Sequence, residues 1–299
     1  MRDGLTASLS TNACEYCIDN GSWNNLSAGS KTPSINKGQI LSFRGNLTPN
    51  SSNGIGTFAI NMYCNIKGNI MSLLYGDNFE GQIDLSGKNY TFYNLFTNCV
   101  TIRNAKNLIL PATTLADHCY SNMFEGCTSL TTAPELPATT LASYCYSHIF
   151  QGCTSLVTAP ELPATRLVDW CYEYMFSGCS KLNKITMLAT DKSAAYRCLI
   201  NWVYGVSSTG TFVKHSQMTS LPNGNDGIPS GWAVVNDGET GGPNLITFTI
   251  DGTEYQAEDG MTWEEWVNSE YDDGNYLVYN AYAIARFQGT SLVYVFDNT

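Results

Sequence analysis

Few residues in this chain are of types and spacings that could do chemistry. The 299 residues include three histidines, His118, His148 and His215, and no GxSxG, HExxH, P-loop or strand-to-helix GxGxxG pattern. Acyl transfer, zinc hydrolysis and nucleotide chemistry therefore lack their usual groups, and no enzyme is expected. His118 stands next to Cys119, but neighbours on a helix point about 100° apart, which argues against a nucleophile and base pair. Cys14-Glu15-Tyr16-Cys17 is the one CxxC. A zinc site would want a second pair or nearby histidines, so a disulfide or two free thiols is expected there. Asp226 and Asp272-Asp273 sit in Gly/Asn-rich turns without EF-hand spacing, and no metal or other cofactor is expected.

The residues with binding chemistry recur at a fixed spacing. Leu110-Pro111-Ala112-Thr113-Thr114-Leu115 opens a unit of 26 residues that begins again at Leu136 and, more loosely, at Leu162. The first two units share 20 of 26 positions. Most differences fall on one side of a helical wheel. They leave His118, Tyr144 and Trp170 as one column and Asn122, His148 and Tyr174 as the next, a row of aromatic and polar groups suited to stacking on sugar rings and hydrogen-bonding their hydroxyls. A second candidate surface is the strand side, with Thr131, Glu135, Val157, Glu161 and Asn183. Its small residues offer fewer anchors of the Trp, Tyr or Arg kind.

The elements that must position these columns follow from apolar spacing. Leu115, Cys119, Met123 and Phe124, at intervals of four, four and one, predict a helix of about ten residues, ended by Gly126 in a left-handed conformation. Leu141 to Phe150 before Gly152, and Leu167 to Phe176 before Gly178, repeat it. Leu130–Ala133, Leu156–Ala159 and Leu182–Ile185 alternate as short strands. A period of this length marks units that bury their apolar faces by stacking on one another, so the predicted fold class is α/β, a leucine-rich-repeat solenoid with one short strand and one short helix per unit. Cys119, Cys145 and Cys171, like Cys127, Cys153 and Cys179, then form buried ladders of reduced thiols.

The repeated Gly-Cys-Thr-Ser-Leu (Gly126–Leu130, Gly152–Leu156), with Met123-Phe124 or Ile149-Phe150 upstream and Ala133-Pro134-Glu135-Leu136-Pro137-Ala138-Thr139 downstream, resembles the BspA-like leucine-rich repeats of gut Bacteroidetes surface proteins. Similar repeats occur in phages of those bacteria. The likeness runs from about Met71 to Val235, including Tyr75-Gly76-Asp77-Asn78-Phe79 and Trp202 to Phe212. It implies surface attachment or recognition, and leaves the ligand open.

Composition divides the rest. Residues 1–66, rich in Ser, Asn, Gly and Thr, are expected to form a β-rich capping module. Residues 67–235 hold the repeats and their C-terminal cap, and 236–244 a polar linker. Residues 245–299 are expected to form a small α+β, β-grasp-like module: a hairpin across Asp251-Gly252, a helix from 263 to about 269 with a Thr262/Glu265 capping box and Met261/Trp266 staple, and strands at 276–279 and 291–296. With 15 basic against 26 acidic residues the net charge is −11, which disfavours nucleic acid and anionic membranes. There is no run of eighteen apolar residues, and Met1 to Leu5 is not followed by a signal peptide's apolar stretch. The expected partner is a host or bacterial surface glycan or protein. The expected location is the cell surface or extracellular space with its leader removed, or else a virion. A phage tail-fibre receptor binder, or a structural spacer attached through the C-terminal module, are the alternatives.

Overall fold

Where the sequence predicts helices, half of the backbone amides bond across to the next unit. Cys119, Ser121, Met123 and Glu125 donate back three residues, to Ala116, His118, Tyr120 and Asn122. The alternate amides of His118, Tyr120, Asn122 and Phe124 donate instead to the carbonyls of Ser143, Cys145, Ser147 and Ile149. The same alternation joins the second unit to the third, from Tyr144 to Asp169 through Phe150 to Met175. An α-helix would close every amide within its own segment.

These features come from a computed structural model that describes residues 4–50 and 53–237, together with the strands Leu245–Ile250, Thr253–Glu258, Ala283–Gln288 and Ser291–Phe296. The chain divides into two units, Met1–Asp237 and Gly238–Thr299.

The expected α/β leucine-rich-repeat solenoid with a helix in each unit is overturned. Among the described residues the only α-helix is the four-residue Ser72–Tyr75, followed by a 3-10 turn at Gly76–Asn78; the rest is strands, turns and loops in several small sheets. Segments 117–126, 143–152 and 169–178 are chains of overlapping turns. A left-handed residue falls at every fourth position, as at His118 (φ 56°), Asn122 (φ 58°) and Gly126 (φ 70°). An apolar interval of four satisfies this period as well as it satisfies 3.6, which is why the pattern reads as helical. The expected short strands shrink to single parallel bridges, Asn104 to Thr132 and Thr158 to Lys184, before a true strand at Lys184–Met187. That strand opens a three-stranded parallel sheet with Thr211–Lys214 and Ala233–Asn236.

Inside the turns the side chains stack in rows. Phe92, Tyr120, Tyr146 and Tyr172 run parallel to Phe96, Phe124, Phe150 and Phe176, and both rows meet Trp202. The six repeat cysteines are fully buried and reduced. Cys127, Cys153 and Cys179 donate their thiol protons to the carbonyls of Phe96, Phe124 and Phe150 at 3.1–3.2 Å. The hydroxyls of Tyr120 and Tyr146 are buried with no hydrogen-bond partner among the described residues. Such a group costs about 1–3 kcal/mol. Tyr120→Phe and Tyr146→Phe should therefore leave the melting temperature unchanged or raise it, and a clear fall in thermal denaturation would mean that the hydroxyls have partners.

Ahead of the turns, Cys14–Ile18 lies between Asn24–Leu26 and Leu41–Arg44 in an antiparallel sheet, and Ala7–Leu9 pairs with Phe58–Ile60. Phe58 stacks on Phe96, joining this segment to the core. Cys14 and Cys17, three apart on one strand, point to opposite faces, and both are free thiols.

In the second unit, Leu245–Ile250 pairs with Thr253–Glu258 and Ala283–Gln288 with Ser291–Phe296, both antiparallel. The helix expected from 263, the strand expected at 276–279 and Asp272-Asp273 lie outside the described residues. No helix among the described residues is long and apolar enough to cross a membrane.

Candidate functional site

The left-handed positions place side chains in columns along the stacked turns. Tyr90, His118, Tyr144 and Trp170 form the first column, with positive φ throughout. Their rings lie nearly parallel: centroids are 4.5 Å apart from Tyr90 to His118 and from His118 to Tyr144, and 5.4 Å from Tyr144 to Trp170. Asn94, Asn122, His148, Tyr174 and Asn201 form the second, all again at positive φ. His148 stacks on Tyr174 at 4.9 Å, and Asn201 Nδ2 donates to the Tyr174 hydroxyl at 2.9 Å. The third column is Asn98, Gly126, Gly152, Gly178 and Gly205. Sequence reading assigned the six residues His118, Asn122, Tyr144, His148, Trp170 and Tyr174 to the outer face of a helix. The structure brings them together, half-buried, by a different geometry. Ser121, which a helical wheel also places on that outer arc, is 2% exposed.

This geometry alters what the columns can do. Within each stack a ring's faces are covered by its neighbours, so a ligand meets ring edges and polar groups rather than open faces. Stacking on sugar rings is therefore not available along the middle of the row, whereas hydrogen bonding is. Ser147 Oγ lies 2.6 Å from His148 Nδ1 and 3.1 Å from Glu173 Oε2. The hydroxyl has one proton; given to the carboxylate, it leaves the oxygen to accept Nδ1–H, which makes Nε2 the acceptor nitrogen of His148. Serine sits between the other two, buried, so this is a positioning relay rather than a nucleophile and base. In the equivalent place one unit earlier, Ser121 Oγ donates to Asn122 Oδ1 at 2.8 Å, and Asn122 in turn donates to Glu125.

Burial lowers the pKa of both histidines, against a weaker upward pull from Asp117 on His118 and from Glu173 and Glu125 on His148. The folded state then binds fewer protons than the unfolded chain, whose histidines titrate near 6.5. Stability is accordingly full above about pH 6.5 and falls as the pH drops from there through the lower folded values. Urea denaturation at pH 7.5 and about pH 5 should show this loss, and His118→Asn with His148→Asn should reduce it. An unchanged pH dependence in the double variant would contradict the assignment.

Cys119 points into the core, where burial pushes its thiol up to about 12, and Cys179 likewise. A thiol so protonated is a poor nucleophile. Among the described residues no three His, Cys, Asp or Glu side chains gather in a group able to hold a metal ion. The second candidate surface, Thr131, Glu135, Val157, Glu161 and Asn183, is exposed throughout. The Asn183 amide donates to the Val157 carbonyl and Thr131 bonds to Arg103, so these residues follow the bridges between units.

Sequence reasoning missed both ends of the columns. Tyr90 and Asn94 precede His118 and Asn122 by 28 residues, two more than the period. Cys99 stands at the same offset from Cys127, and carrying that offset along the segment would have found them. At the other end Tyr196 turns its ring 77° to Trp170, and the Arg197 guanidinium lies 5.2 Å from both ring centroids.

No family model, curated protein or solved structure matches this chain.

Proposed function

We propose that this chain is a non-enzymatic recognition protein, displayed on a bacterial cell surface or on a virion, that binds a glycan or protein through the residues of its left-handed columns. The observation that carries this reading is which residues occupy those positions. One column is mostly glycine, which adopts the conformation without strain. The other two hold His118, Tyr144, Trp170, His148 and Tyr174 in the same conformation, at about 1–2 kcal/mol each for a side chain that disfavours it. Backbone strain of this kind clusters at functional sites. Polar ring edges repeated every 4.5–5.4 Å suit a ligand that offers many hydroxyls or amides. The likeness of the Gly-Cys-Thr-Ser-Leu units to BspA-like surface proteins and their phage counterparts supports the location, including a tail-fibre receptor binder. The net charge of −11 makes nucleic acid a poor partner.

A structural reading competes, favoured by the ring-on-ring contacts. Each stacked pair returns about 0.5–1.5 kcal/mol, enough to offset much of the strain, and the columns would then serve only to hold a spacer together. A glycan array and a panel of intact bacteria, probed with the wild-type chain, separate the two readings. Saturable binding supports recognition, and no binding to either panel supports the spacer.

A further inference from the structure

We infer that the Trp170 end of the first column is a subsite for an acidic sugar, in which Arg197 and Lys192 take the carboxylate and Tyr196 supports the ring. The inference rests on the reading of the columns as a saccharide-binding row and names the sugar its end accepts. Beyond Arg197, whose guanidinium lies 5.2 Å from the Trp170 and Tyr196 ring centroids, an open groove of about 420 Å³ is lined by Lys192, Ala195, Arg197, Cys198, Pro222 and Asp226, with Leu199 and Ile200. That volume falls within the range of small-ligand sites.

The charges in the groove are its first distinguishing feature. In a chain with 26 acidic and 15 basic residues, neither Lys192 nor Arg197 has a carboxylate within ion-pair distance among the described residues. Asp226 in the lining, and Asp169 and Asp191 along the same segment, are engaged in hydrogen bonds. Asp226 Oδ1 accepts the Asn201 amide at 2.6 Å, and Asp169 Oδ1 accepts the Tyr196 amide at 2.7 Å. Arg197 itself stands at φ 50°, a conformation that a long side chain seldom adopts. Its guanidinium is held beside Trp170 and Tyr196, which leaves donors available for a planar carboxylate.

Tyr196 is the second feature. Its perpendicular setting ends the run of parallel rings, and it is 57% exposed, so it presents ring surface that the buried-face members of the stack cannot. An aromatic surface beside Arg197, with Lys192 lining the same groove as Arg197, fits a pyranose bearing a carboxylate: the ring packs on Tyr196 while the carboxylate meets the two cations. A neutral sugar would leave both cations unused, and an acidic peptide would leave the aromatic surface unused.

The test compares three probes in four calorimetric titrations: a uronic-acid tetrasaccharide, its carboxyl-reduced neutral counterpart, an acidic hexapeptide, and the first of these again at raised salt. The proteins are the wild type and Lys192→Gln/Arg197→Asn, where asparagine keeps the left-handed backbone comfortable. The expected result is a preference of about tenfold or more for the acid over the reduced sugar, weakened by salt and lost in the variant, which binds the two sugars with equal affinity. Equal affinity for acid and reduced sugar, a preference that survives in the variant, or hexapeptide binding as tight as the tetrasaccharide's overturns the inference. In the first two of these outcomes the saccharide-binding row still stands. Wild-type binding of neither sugar overturns the row and this subsite together.

Discussion

Phe150→Ala is expected to lower the free energy of unfolding of the Met1–Asp237 unit by about 3–5 kcal/mol. Phe150 is fully buried midway along its row, stacked on Phe124 at 5.7 Å and on Phe176 at 5.8 Å, so both of its faces and the thiol-bonded backbone around it are engaged. Truncation opens a cavity between two rings held apart by the inter-unit hydrogen bonds, which cannot collapse to fill it. Domains of this kind have only about 5–15 kcal/mol in total, so the variant should unfold at markedly lower urea concentration. The fluorescence of Trp202, which closes this row against Phe176, reports the transition. Val157→Ala, at a 43% exposed position, serves as the control and should shift it by no more than about 0.5 kcal/mol. A loss below about 1 kcal/mol for Phe150→Ala would mean that the rings are not packed as the stack requires.

The period, the buried cysteine ladders and the columns themselves could be read from the sequence, because identical residues at identical intervals face identical surroundings whatever the backbone does between them. The backbone could not. Leu115, Cys119 and Met123 recur every four residues, and this spacing serves a helix or a chain of turns equally. Gly126 reads as a helix end, since a left-handed glycine commonly marks one, yet it is one of a series with His118 and Asn122. Nothing in a histidine or a tryptophan announces a positive φ, so the spacing alone puts these residues on a helix that does not form. What decides between the two backbones is the fate of the alternate amides, and that depends on a neighbouring unit 25 or 26 residues away. The Tyr196 and Arg197 end was missed for a related reason: past Met187 the repeat has decayed, and no column could be extended by counting.

The second large effect concerns binding. Tyr144, His148, Trp170 and Tyr174 can all be replaced by asparagine, a residue that already stands in these columns at Asn94, Asn122 and Asn201 with φ of 58°, 58° and 48°. Asparagine relieves the backbone strain while removing the ring edges, so the substitution separates recognition from folding better than alanine would. Interface anchors of the Trp and Tyr kind contribute about 2 kcal/mol or more each, and losing several together should weaken binding by about 100-fold or more. A variant melting within a few degrees of the wild type would show that the fold tolerates the loss of the stacked rings. The decisive measurement is a side-by-side titration of this fourfold asparagine variant and the wild-type chain against the strongest ligand from the glycan and whole-cell panels: the recognition reading predicts a normally folded variant whose binding is lost, and undiminished binding by that folded variant would contradict it.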